Sequence, residues 1–132
     1  MALPQPDTHT LQTYDIHMEP MFDMLQLIDV PRLVSECKEK WHNQTLCKVN
    51  NQLVRLGIFN EGEFHWHKHD NEDEFFFVLF GELFIEFEGD AITLKPHQGI
   101  TVPKNVLHRP YVKQPTAVLM VESESVTPTG NP

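Results

Sequence analysis

The 132-residue chain is poor in cysteine, in basic side chains and in long apolar runs, and each shortage removes a class of function. Its two cysteines, Cys37 and Cys47, cannot form a disulfide framework, so stability must come from a packed core. Lys and Arg total 10 against 19 Asp and Glu, a formal net charge of −9. That balance argues against nucleic acid or an anionic membrane surface as partner, because both are held by basic patches. No apolar stretch approaches the roughly 20 residues that a membrane-spanning helix needs. Residues 1–20 lack the charged-then-apolar order of a secretory signal, so a cytoplasmic location is expected. There is no G-x-S-x-G, P-loop or dinucleotide fingerprint, which leaves serine nucleophiles and nucleotide binding without support.

What is present fits a single domain: 40% hydrophobic residues and nine phenylalanines are enough for one core. Residues 1–44 read as an N-terminal arm and helix, residues 45–122 as a barrel, and residues 123–132 as a loose tail. Asp29 offers an N-cap oxygen and Pro31 sits in a first turn. Val30, Leu33, Val34, Cys37 and Trp41 recur at helical spacing, which predicts a helix over about 30–42. Beyond Asn43 short β-prone runs alternate with Asn, Gly, Asp and Pro turns, the pattern of an all-β sandwich or barrel. In Glu74–Phe80, if Glu74 faces inward then Phe76, Val78 and Phe80 do as well, while Phe75, Phe77 and Leu79 face out. A strand apolar on both faces needs cover on both, which the chain's own helix and arm or a second subunit could supply, and a homodimer is the expected source.

The chemistry concentrates in His65-Trp66-His67-Lys68-His69. On extended backbone those three imidazoles share one face, and Glu74 and His108 add a carboxylate and a fourth imidazole. Imidazoles with one carboxylate suit a divalent transition metal.

The stretch Gly62…His67-Lys68-His69-Asp70-Asn71-Glu72-Asp73-Glu74…Gly81 resembles the first motif of the cupins, and Gly99…Pro103-Lys104-Asn105-Val106-Leu107-His108 resembles the second. Asn105 stands where the family often has glycine, and asparagine tolerates the positive φ such a turn requires. The resemblance implies a small double-sheet jelly-roll barrel, or double-stranded β-helix, here preceded by one N-terminal helix. It also implies that His67, His69, Glu74 and His108 hold one divalent transition metal per chain, Fe, Mn, Ni or Zn.

Around that site, His65 is the only side chain that sequence offers as a catalytic base. Arg55 is the candidate for holding a substrate carboxylate, and Phe76 for a pocket wall. Arg109 is expected to point away. The implied partner is a small polar metabolite: a sugar, uronate, keto-acid or polyketide-like compound. Two functional classes stay open. One is a metal-dependent dioxygenase or isomerase/lyase; the other is a non-catalytic metabolite- or metal-sensing module.

Overall fold

The computed structural model describes residues 14–132, so the first part of the predicted arm lies outside the described residues. Ten strands and one short helix follow in order: β1 Asp15–His17, α1 Val30–Glu36, β2 Trp41–Val49, β3 Gln52–Phe59, β4 Gly62–Glu63, β5 Glu74–Phe80, β6 Leu83–Phe87, β7 Asp90–Leu94, β8 Gly99–Val102, β9 Arg109–Val112 and β10 Thr116–Ser123. A six-stranded sheet has the order β1-β2-β3-β10-β5-β8, and a four-stranded sheet has the order β4-β9-β6-β7. Every pairing is antiparallel except β1 with β2. From β3 onward the chain crosses between the sheets at every step except β6 to β7, which is how a jelly-roll closes.

Alternation decides what lies between the sheets. Trp41, Phe59, Phe76, Val78, Leu83, Ile85, Val102, Val118 and Met120 form the main core with Phe64, Leu94 and Val112. The outer face of the larger sheet is covered by the chain itself. Leu46, Leu56 and Ile58 pack with Phe22, Ile28, Val30, Leu33, Val34 and Leu79.

The helix is shorter than the periodicity predicts. Asp29 caps it by accepting from the Arg32 amide, and Pro31 lies in its first turn, but it stops at Glu36. Cys37 is already extended. Trp41, read from spacing as the last residue of the helical stripe, instead opens β2. There it stacks on Phe59 with ring centroids 3.9 Å apart. Trp41, Asn43 and Thr45 are all buried, a period of two that overrides the i, i+4 coincidence with Cys37.

Two further expectations change. Glu74, Phe76 and Val78 point inward as predicted, but Phe80 is 38% exposed. A bulge pairs Ala117 with Phe80 while Val118 pairs with Val78, which breaks the alternation at that point. The tail is not loose. The Asn131 amide donates to the Lys68 carbonyl at 2.9 Å, Asn131 Oδ1 accepts from the Asp70 amide at 2.7 Å, and Val126 is buried. Gly130, at φ +89°, lies where a Cβ would come within 2.6 Å of the His67 Cβ, so only glycine lets the tail approach this closely.

Candidate metal centre

Residues 64–69 do not form a regular strand, yet the histidine face survives. His67 and His108 make an isolated antiparallel bridge, with N···O distances of 3.0 and 2.9 Å in the two directions. That bridge sets two imidazoles on opposite walls against each other, with ring centroids 4.3 Å apart. Asn105 takes φ +67°, and its amide donates to the His69 carbonyl at 2.8 Å. The turn in the second motif is therefore built as expected, with asparagine where glycine is common. Gly81 closes the first motif at φ +82°, packed against the Pro115 carbonyl and Thr116.

His67, His69, Glu74 and His108 are all buried, and one ligand atom from each lies within 4.8 Å of the others. His69 Nε2 and His108 Nε2 are 3.4 and 3.3 Å from Glu74 Oε1. The chemistry of the donors fits a divalent metal. His67 Nδ1 donates to the His65 carbonyl at 3.0 Å, and His108 Nδ1 donates to the Val106 carbonyl at 2.8 Å. Each bond fixes the tautomer and leaves the Nε2 lone pair free for a cation. Among the described residues His69 Nδ1 has no hydrogen-bond partner and Nε2 has only its 3.4 Å approach to Glu74, so an ion ligated by one of these buried nitrogens would remove part of that cost.

Electrostatics agree with that fit. Burial drives the His67 imidazole well below its ordinary 6.5, helped by the neighbouring His108 and His69 and opposed by Glu74. Burial would push Glu74 up, but contacts with His108, His69 and Glu122 outweigh it and hold the carboxyl well below its ordinary 4.5. The site thus offers a neutral imidazole and a carboxylate, the forms a metal requires. In metal-free protein below pH 6.5, the unfolded chain takes up a proton that folded His67 refuses. This contribution to stability is present above 6.5 and is lost as pH falls toward the depressed value. With metal chelated, wild-type stability minus that of His67→Gln should drop as pH is lowered from 6.5, at up to about 1.4 kcal/mol per pH unit. Denaturant titrations at several pH values read this directly. A difference independent of pH contradicts it.

Beside the cluster lies a narrow, half-open cavity with about 310 Å³ of space between its walls, mouth included. His67 and Glu74 line it, together with Trp41, Asn43, Arg55, Phe76, Met120 and Glu122. Arg55 and Phe76, the candidates for a substrate carboxylate and a pocket wall, both line this cavity. Arg55 is fully buried, with Nε donating to Thr45 Oγ1 at 2.9 Å. His65 does not line the cavity. Its Nε2 donates to the Thr129 carbonyl at 2.6 Å, which makes it an anchor for the tail. Arg109 points away as expected, pairing with Glu63 and Glu86 and lying over Trp66.

The segment before Glu74 is more structural than its acidic composition suggests. Glu72 is buried and accepts from Ser125 Oγ at 2.7 Å, and Asp73 accepts from the Lys104 amide at 2.9 Å. Sequence reasoning missed Glu122 and Asn43. Glu122 is 1% exposed; burial first, then the Glu74 charge, pushes its carboxyl well above the usual range. The signal was available: Val118, Met120 and Glu122 occupy one alternating face, so a carboxylate follows two core positions.

The comparisons agree with the motifs. A family model described as a cupin domain matches residues 58–122. The uncharacterized protein YdbB of Bacillus subtilis is 37% identical over 100 residues, 75% of this chain and 88% of that protein. A cupin-2 domain containing protein from Shewanella frigidimarina is 31% identical with a TM-score of 0.69, covering 74% of this chain and 94% of its own. Protein NMB1881 from Neisseria meningitidis, 22% identical, shares the fold with a TM-score of 0.65 over 74% of this chain and 99% of its own. With both motifs present and their ligand-type residues brought together in one buried cluster, the chain belongs to the cupin family.

Proposed function

We propose that this cupin is a metal-dependent enzyme acting on a small polar metabolite of the sugar, uronate, keto-acid or polyketide-like kind. One observation carries the reading. The buried cluster His67, His69, Glu74 and His108 opens, through His67 and Glu74, on a cavity whose wall includes the buried guanidinium of Arg55. A divalent transition metal held by these four residues supplies Lewis-acid polarisation of a carbonyl or, where it is iron, dioxygen activation. Arg55 binds the anionic end of the substrate and orients it. Phe76 forms an apolar wall that keeps water from the reacting end. His65, whose Nε2 donates to the Thr129 carbonyl, holds the tail against the site.

Elemental analysis of protein from its own host, followed by turnover assays, tests this. Iron with substrate-dependent dioxygen uptake supports oxygenase chemistry. Manganese, nickel or zinc with an isomerised or eliminated product supports the Lewis-acid route. Saturable metabolite binding with no turnover on any of these metals would replace the enzyme with a binding module.

The same reading places the protein in the cytoplasm, where Cys37 and Cys47, both free thiols, stay reduced. It also makes the protein a homodimer. Leu79 is covered by the chain's own helix segment, so support comes elsewhere: Met24, Leu25 and Leu27 are at least 85% exposed, and Met24 and Leu25 share a groove with Val49. A sedimentation mass of one 15.4 kDa chain at micromolar concentration would overturn the dimer.

A further inference from the structure

We propose that Asn43, Arg55 and Glu122 form a subsite for a short polyhydroxy carboxylate, with Arg55 on the carboxylate and Asn43 and Glu122 on its hydroxyls. The proposal rests on the metal-site reading above and narrows its substrate class.

The three side chains come from separate strands, β2, β3 and β10, which lie side by side in the larger sheet and face its interior. Each is buried: Asn43 is 6% exposed, Arg55 0% and Glu122 1%. Among the described residues each also keeps one polar atom without a partner, namely Asn43 Oδ1, Arg55 Nη1 and Glu122 Oε2. Buried polar atoms are almost always paired, so three orphans on one cavity wall call for a ligand that pairs them. Bonds to Thr45 Oγ1 and the His17 carbonyl hold the Arg55 guanidinium in place and leave Nη1 for the cavity.

The orphans specify complementary chemistry. Nη1 is a charged donor and requires an acceptor, best met by a carboxylate. Oδ1 and Oε2 are oxygens that accept from a hydroxyl hydrogen. A ligand with one carboxylate and two hydroxyls satisfies all three, whereas a simple fatty acid leaves both oxygens unmet and a neutral polyol offers the guanidinium only an uncharged acceptor. Trp41, Phe59 and Phe64 share this cavity, whose enclosed part is small, so only a short ligand that reaches out through the open mouth can be held. His67 and Glu74 on the same cavity place its other end beside the metal ligands.

The test is calorimetric titration of the full-length, metal-loaded protein with glycerate, propionate and glycerol. Glycerate should bind about tenfold or more tighter than either control, since propionate lacks the hydroxyl pairings and glycerol lacks the charged acceptor for Arg55. Asn43→Ala should weaken glycerate by about 3- to 10-fold and leave propionate unchanged. Arg55→Met should weaken glycerate and propionate together by about 30- to 100-fold and leave glycerol unchanged. Should Arg55→Met not fold by circular dichroism, Arg55→Lys, which keeps the charge but loses the fork, takes its place. Equal wild-type affinities for glycerate and glycerol, or an Asn43→Ala loss shared by propionate, would overturn the subsite. Metal content measured on each variant separates this result from the function reading. A wild type that holds no metal ends that reading, and the same titrations on the metal-free chain still decide the subsite.

Discussion

Removing the divalent metal from the folded protein at neutral pH lowers its stability by about 4 kcal/mol, provided the free metal had stood at about a thousand times its dissociation constant. For a chain of this length that is a fall in melting temperature of roughly 15 °C. The size of the effect follows from where the ligands sit. His67 and His69 lie on an irregular segment held by the His67–His108 bridge and by single main-chain bonds from Asn105 and Asn131, Glu74 opens β5, and His108 precedes β9. An ion bound to all four joins segments that otherwise meet through few main-chain bonds. It also pairs one of the buried nitrogens of His69. The effect should shrink in acid, where protons compete for the imidazoles. Scanning calorimetry before and after verified chelation measures it. An unchanged melting temperature contradicts the coupling of metal to fold.

The second large effect is on binding. Replacing His67 and His69 together by Ala should abolish stoichiometric metal binding while the β-rich circular dichroism spectrum is retained. The bridge that holds this segment to His108 runs through main-chain atoms, so it persists when the imidazoles are removed. Loss of the His69 ring also removes two unpaired buried nitrogens from the metal-free state, which offsets part of the cavity it leaves. What the double variant lacks is two of three nitrogen donors, and one imidazole with one carboxylate does not make a tight site. Full occupancy in that variant would sink the ligand assignment.

The parts of this molecule that sequence foretold are those governed by alternation and by turn chemistry. Residues i, i+2 and i+4 placed His65, His67 and His69 on one side without a regular strand, because a single bridge is enough to hold the backbone extended. Asn105 could be read as a positive-φ turn because few side chains tolerate that region. The failures occurred where distant contacts override local pattern. Trp41 fits a helical stripe, but stacking on Phe59 and pairing with β3 draw it into β2. Phe80 loses its inward parity to a bulge that depends on the register of β10, a strand more than thirty residues away. The tail has the composition of a loose end, yet its backbone finds Lys68 and His65 and its Asn131 side chain finds the Asp70 amide. Asn43 and Glu122 escaped notice because a polar residue at an inward position gains meaning only once its neighbours in the cavity are known.

The most direct test of the account is the metal content of the full-length protein purified from its own host without chelators, measured by elemental analysis against protein concentration. The account predicts about one divalent transition metal per chain, drawn from iron, manganese, nickel and zinc, and lost in His67→Ala/His69→Ala. Wild-type protein that carries none of these ions, and binds none when they are supplied, would contradict it.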